Sequence, residues 1–359
     1  MKLIVMAGGQ GTKLWPMSRE SAPKQFQAIV GDKTLFRTNI EALLKGFTPD
    51  DIFVSTKEQY LEFVKKDAPE LPERNIILEP NIKKNQGPAT GYAALKVAHY
   101  YPDEPFMLIQ SDCLRIPDDK FIEMIKGADK LVNEDHKLIT GGARPLFPIM
   151  GCDYLKLGEK IKNSNGLEIY HVDEFIPRLD DYNKTKTLIS NFHVSIHSNH
   201  YCWFIDDLMN AFKTYRPNWY EKLNEIKETF GKPNEKEETE RIYNEFEEGP
   251  IEDVTKEIFA KEGNVILMPF KWTDIGTWGS IYEYFAKHEE VYADGDSVNV
   301  DSKNTFIKGK KGKIIATIGV ENLVIVDTDD ALLVCRKDRA GEIKKVLDGL
   351  KNNKLEKYL

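Results

Sequence analysis

Cysteine and histidine are scarce in this chain, four and seven residues. Cys113, Cys152, Cys202 and Cys335 are far apart, with no C-x-x-C pair. A disulfide framework or a zinc clip is not expected, and buried free thiols are the simpler reading. No apolar stretch approaches the ~18 residues of a membrane span. The short run Leu3 to Ala7 lacks a signal-peptide cleavage pattern, so no membrane association and a cytoplasmic residence are expected. Excess basic charge is absent as well: the net charge is −8, which argues against a general nucleic-acid binder but leaves room for a locally basic pocket. No Ser/His/Asp or Cys/His pairing suggests a covalent nucleophile.

What is present is length and alternation. The 359 residues exceed one small core, so two domains, or one large α/β domain with an appendage, are expected. Apolar runs such as LIVMA, DIFVST, NIILEP and FMLIQSD alternate with amphipathic helical stretches through the first third. That rhythm is the mark of a mostly parallel sheet covered on both faces, with ligands at the carboxyl ends of its strands. The middle reads as further strands followed by a charged helical stretch. After about Glu290 the texture changes to short strands with turn signals at Lys308-Gly309, Gly312 and Asp327 to Asp330, closed by a helix. No repeat of solenoid period is evident there. The expected division is 1–290 and 291–359.

Three glycines in four positions follow the first strand, in AGGQGTK. A dinucleotide fingerprint would need a third glycine where Leu14 stands and an acid about 20 residues on, and both are missing. Walker spacing is absent too. Glycines nevertheless let successive N–H groups face one concavity that attracts phosphate. A tight turn with a solvated basic rim is the alternative. Lys13, Arg19 and Lys24, opposed only by Glu20, tilt the balance toward phosphate.

Asp112 ends the strand in FMLIQSD, and Asp274 follows an apolar run in KWTDIG. Each alone fits a helix N-cap. Together with a phosphate loop they suit Mg²⁺, which takes one or two carboxylates plus phosphate oxygens. Glu79 offers an acceptor for the donor edge of guanine, or a partner for Lys83 or Lys84. His193, His197 and His200 lack a carboxylate within their run, which weighs against a metal site there. Trp203, Trp272 and Trp278 suit stacking on a base or sugar, or a core.

These residues carry a resemblance. AGGQGTKLWPMSRESAPKQF resembles the opening motif of the mannose-1-phosphate guanylyltransferases, roughly G-G-x-G-[ST]-R-L-W-P-[LM]-S-R-x-x-x-P-K-Q. ILEPNIKKNQGPA, QSDC, GCDYLKLG and KWTDIGTWGSI resemble further family motifs, and the C-terminal run resembles the β appendage of the bacterial long forms. The resemblance covers essentially the whole chain. It implies an α/β, Rossmann-like nucleotidyltransferase fold with a mixed, mostly parallel central sheet and a small C-terminal β appendage. The implied reaction joins GTP and α-D-mannose 1-phosphate into GDP-mannose and pyrophosphate with Mg²⁺.

By the same resemblance Gly8, Gly9, Gln10, Gly11, Thr12 and Lys13 cradle the triphosphate, and Lys24 contacts phosphate. Asp112 and Asp274 hold the metal, while Glu79, Asn85 and Pro88 line the nucleotide pocket. Asp153, Glu174, Arg178 and Asn199 face the sugar phosphate. Lys13, Lys24 and Asp112 form the catalytic set.

Departures from the family pattern cluster on the sugar side. Asp153 replaces a glycine, Pro177 and Arg178 replace Glu and Lys, and His200 replaces a glycine. Another sugar 1-phosphate, such as a heptose or fucose, and a catalytically silent sugar-nucleotide-binding relative are the implied alternatives. Oligomeric state stays open: the β appendage is free to pack on the catalytic domain or to pair with a second chain.

Overall fold

The apolar runs become strands because β-branched and aromatic residues suit a pleated surface buried on both faces. The computed structural model describes residues 1–9, 11–149, 151–161, 166–285 and 290–359. Eleven strands precede the change of texture. They are β1 (Lys2–Met6), β2 (Ile52–Lys57), β3 (Ile76–Glu79), β4 (Phe106–Gln110), β5 (Cys113–Ile116), β6 (Ile139–Ala143), β7 (Tyr154–Ile161), β8 (Glu168–Ile176), β9 (Val194–Trp203), β10 (Asn264–Leu267) and β11 (Lys271–Asp274). Nine of them form one sheet in the order β3-β2-β1-β4-β9-β6-β10-β8-β7, and β5 and β11 form a separate ribbon.

The sheet is mixed. β1 lies between β2 and β4 in parallel register, Leu3 opposite Ile52 and Lys2 opposite Phe106. β2–β3 and β6–β10 are parallel, and the remaining pairings are antiparallel. Leu3, Ile4 and Val5 of the central strand are wholly buried.

Packing divides the chain into two units, Met1–Gly8 with Ile40–Gln110 and Arg115–Trp272, and Gly9–Asn39 with Ser111–Leu114 and Thr273–Leu359. The boundary at 290 follows the sequence texture, whereas packing groups two earlier segments with the C-terminal one. In the first unit the core joins the sheet to the helices Gln86–Tyr100, Ile205–Tyr215, Pro217–Lys227 and Glu252–Glu262. Gly87 lets the first of these approach Trp219, because a Cβ there would stand 2.2 Å from Cη2 of that indole.

The second unit gathers Leu14, Trp15, Leu35, Leu114, Ile275 and Trp278 with Phe306, Val324, Val326, Leu333 and Ile343. Trp278 Nε1 donates to Trp15 O at 3.0 Å, and Trp15 Nε1 donates to Tyr358 O at 2.7 Å. Its C-terminal part holds β12 (Val291–Asp294), β13 (Ser297–Val300), β14 (Thr305–Lys308), β15 (Ile315–Ile318), β16 (Leu323–Asp327) and β17 (Leu332–Arg336). β12, β14 and β16 run parallel in one sheet, closed by antiparallel β17, and β13 pairs β15 in parallel in another. Successive strands from β12 to β16 thus alternate between two sheets, which is a short coil, and β16 and β17 end it as an antiparallel pair. Asn304 and Asn322 occupy equivalent corners at φ 48 and 58, and the side-chain amide of the first donates to that of the second. Among the described residues no helix is long and apolar enough to cross a membrane.

Candidate active site

In the second unit the expected catalytic groups meet. Gly11 has φ 58, in the left-handed region that favours glycine, and a Cβ there would lie 2.6 Å from Lys24 Cγ. The glycine therefore admits the stem of Lys24 beneath the loop. Among the described residues a Cβ on Gly9 would meet nothing within 4 Å. Gln25, buried, donates from Nε2 to Gly9 O at 2.9 Å and fixes the loop from behind. Thr12 and Lys13 begin the short 3₁₀ turn Thr12–Leu14, with Lys13 exposed. Gln10 lies outside the described residues.

Lys24 is 12% exposed and joins the two acids. Its Nζ stands 2.8 Å from Asp112 Oδ2 and 3.9 Å from Asp274 Oδ1, and it donates to Ile275 O at 3.2 Å. Burial works against the ammonium, but the charges of Asp112 and Asp274 outweigh it and hold the lysine above its ordinary range. Asp274 is pushed up from the usual aspartate range, first by loss of surrounding water and then by Asp112, with Lys24 and Lys13 opposing. Half its side chain still opens to solvent at 54%, so a cation has access.

One oxygen each of Asp112 and Asp274 and the Cys113 sulfur lie within 4.8 Å of one another. The thiol donates to Asp112 Oδ1 at 3.6 Å. Two crowded carboxylates that need a positive neighbour fit Mg²⁺ in donor type.

Asn39 is a residue that sequence reasoning missed. It is 3% exposed, and its Nδ2 lies 3.2 Å from Ser111 O and 3.1 Å from Cys113 O. It therefore grips the backbone on both sides of Asp112. No local pattern announces it, because an asparagine inside a helix carries no signal of what it touches.

The remaining expected residues lie in the first unit. Glu79 closes β3 and accepts from Ser55 Oγ at 2.7 Å. A Cβ on Gly8 would lie 3.0 Å from Glu79 Oε1, so glycine there leaves room for the carboxylate. Burial pushes the Glu79 carboxyl up, against Ser55 and Lys57. Lys84 is engaged elsewhere, donating to Asn244 O and Phe246 O.

Asn85, at φ 68, caps the helix Gln86–Tyr100 by accepting from Gln86 N at 2.8 Å. Pro88 is buried in that helix. Asp153 and Arg178 come together: the Arg178 backbone N–H donates to Oδ1 at 2.8 Å, and its guanidinium reaches Oδ2 at 3.5 Å. Glu174 is exposed on β8 opposite Lys156. Asn199 sits at φ 58 in β9, and its carbonyl accepts from Gln110 Nε2 at 3.2 Å.

Comparison with known proteins adds a second line. Residues 2–145 match the Nucleotidyl transferase family, and residues 295–350 match the MannoseP isomerase/GMP-like beta-helix domain. A mannose-1-phosphate guanylyltransferase of Klebsiella pneumoniae is 28% identical over 99% of this chain and 75% of its own length. The Escherichia coli K12 protein of the same name is 28% identical over 97% and 73%. The solved structure of a mannose-1-phosphate geranyltransferase from Thermus thermophilus superposes with TM-score 0.85 at 22% identity, covering 98% of this chain and 99% of that one. At that identity the likeness speaks for the fold.

Proposed function

We propose that this chain, whose residues 2–145 match the Nucleotidyl transferase family model, moves the guanylyl group of GTP onto α-D-mannose 1-phosphate. The products are GDP-mannose and pyrophosphate. The observation that carries this reading is Lys24 set between Asp112 and Asp274. Relatives named as mannose-1-phosphate guanylyltransferases along nearly the whole chain support the substrate pair.

The chemistry explains the charge. An oxygen of the sugar phosphate attacks the α-phosphorus, the bond from that phosphorus to the bridging oxygen breaks, and pyrophosphate leaves with the electron pair. Two anions must approach, and unit charges 4 Å apart repel by about 4 kcal/mol at an effective dielectric of 20. Gly8, Gly9, Gln10, Gly11, Thr12 and Lys13 would cradle the triphosphate and Lys24 would meet phosphate. Glu79, Asn85 and Pro88 would shape the nucleotide pocket. Asp153, Glu174, Arg178 and Asn199 would face the sugar phosphate. Asp112 and Asp274 would hold Mg²⁺, which when bound supplies positive charge at the phosphate oxygens. Small soluble substrates suit a cytoplasmic enzyme.

One observation favours a different sugar. Arg178, expected at the phosphate, is already paired with Asp153, and both depart from the family pattern. A guanylyltransferase for another sugar 1-phosphate is the second reading.

Pyrophosphate release decides between them. GTP and mannose 1-phosphate with Mg²⁺ are expected to release it, with loss in EDTA and in Asp112→Asn despite an unchanged fold. Release with GTP and only another sugar 1-phosphate would reassign the substrate. Near-normal turnover of Asp112→Asn would remove the metal assignment, and no release with any pair would leave a silent binding protein.

A further inference from the structure

β9 buries two histidines, and they differ in how they are satisfied. Both ring nitrogens of His200 have partners: Arg115 Nε donates to Nε2 at 3.0 Å, and Ser198 Oγ lies 2.8 Å from Nδ1. His197 is 5% exposed, its Nε2 lies 3.1 Å from Thr140 Oγ1, and its Nδ1 has no hydrogen-bond partner among the described residues. Thr140 Oγ1 also approaches Gly141 O at 3.5 Å. A hydroxyl whose single proton is directed to that carbonyl accepts from Nε2–H. That arrangement corresponds to the tautomer with its lone pair on Nδ1. A buried acceptor left empty calls for a partner.

Two carboxylates stand beside it. A ring nitrogen of His197, an oxygen of Asp153 and an oxygen of Glu252 lie within 4.8 Å of one another. The three come from three elements: the approach to β7, the middle of β9 and the first turn of the helix Glu252–Glu262. The His197 backbone N–H donates to the Asp153 backbone carbonyl at 2.9 Å, which ties the first two segments together. Glu252 Oε1 accepts from Tyr201 Oη at 3.2 Å, and the Asp153 side chain, 12% exposed, also meets the Arg178 guanidinium at 3.5 Å.

We propose that Asp153, His197 and Glu252 form a site for a divalent transition cation of the Zn²⁺ or Mn²⁺ class, separate from the Asp112 and Asp274 pair. The donor set decides the class. An imidazole nitrogen with two carboxylates suits Zn²⁺, Mn²⁺ or Co²⁺, whereas Mg²⁺ favours oxygen. Three protein donors leave a further position for water or a substrate oxygen. Donors around a tetrahedral centre stand roughly 3.4 Å apart at Zn²⁺ bond lengths, so these side chains, within 4.8 Å of one another, need to close by at most about 1.4 Å. The assignment does not draw on the transfer reaction.

The test is metal uptake by the full chain, stripped with EDTA and then titrated with Co²⁺ while visible absorption is followed. Zn²⁺ content after dialysis is measured in parallel. Wild-type protein is expected to show the d–d band of a nitrogen-bearing site. His197→Phe and Glu252→Gln are expected to weaken that binding at least tenfold, while Asp274→Asn retains it. Circular dichroism of the stripped variants checks their fold. Glu252→Gln keeps size and the Tyr201 contact, so it carries the test if His197→Phe does not fold. No such band in wild type, or a band equally strong in the variants, would overturn the site and leave an ordinary water on Nδ1.

Discussion

Glu79 is held in a place that favours its protonated form. Its native pKa lies above the unfolded value of 4.5 because burial outweighs Ser55 and Lys57. Between 4.5 and that raised value the native state keeps a proton that the unfolded chain has released, so stability falls as pH rises through the window. Glu79→Gln removes this slope. Urea melts are expected to show the variant gaining on wild type between pH 4.5 and 7, by about 1.4 kcal/mol for each pH unit crossed inside the window. A constant gap would mean that the carboxyl is not perturbed.

Asn39 poses a different question, since it touches no expected substrate group. Asn39→Ala leaves two buried carbonyls beside Asp112 without their donor, at about 1–3 kcal/mol each. Divalent-cation affinity at Asp112 and Asp274, read by isothermal titration, is expected to fall about tenfold along with the melting temperature. Unchanged affinity in a destabilised protein would reduce Asn39 to a packing role. Lys24, Asp112 and Asp274 stood out in the sequence because each lies in a contiguous motif, the two aspartates at strand ends and Lys24 behind the glycine loop. Asn39 was not, because its partners are backbone atoms far along the chain.

At the level of elements, β9 concentrates buried titratable groups. Burial lowers His197 to about 3. Burial, then the charge of Arg115, hold His200 well below 6.5. The unfolded chain takes up these protons below 6.5 and the native strand refuses them, so stability is lost as pH falls through that range. The expected slope is roughly 1.4 kcal/mol per pH unit for each histidine. Denaturant melts between pH 6.5 and 4.5 should show half the histidine slope gone in His197→Phe, and an unaltered slope would refute the burial account. The alternation of apolar runs revealed the strands themselves. The acids beside His197 were hidden because they come from other elements, which is why the histidine run looked unlike a metal site. The coil of β12 to β17 was hidden for another reason. Its rungs share backbone register, Phe306 with Val324 and Ser297 with Ile315, but few identical side chains beyond Asn304 and Asn322.

For the molecule as a whole, the change of texture near 290 is a poor guide to what can be removed. Phe306, Val324, Val326, Leu333 and Ile343 pack in the same core as Leu14, Trp15, Leu114 and Trp278. Each buried side chain of this kind is worth about 1.5–3 kcal/mol, and a whole domain has only about 5–15 kcal/mol to lose. Deleting 291–359 is therefore expected to abolish cation binding at Asp112 and Asp274 as well as the C-terminal strands. Calorimetry of the shortened protein with Mg²⁺ or Mn²⁺ checks this, and full binding would show that the acids are held without the coil.

The interleaving of the second unit, Gly9–Asn39 with Ser111–Leu114 and Thr273–Leu359, also sets an order of events on the ribosome. Lys24 and Asp112 emerge early, yet Asp274 and the residues that pack on Trp15 and Leu114 emerge much later. Until then a nascent chain exposes the glycine loop and an apolar surface meant for a segment not yet made, the condition under which chaperones are recruited. Lys24 and the two aspartates therefore come together only once Asp274 is made, so a message interrupted before it would leave a product that lacks this cluster and is prone to associate.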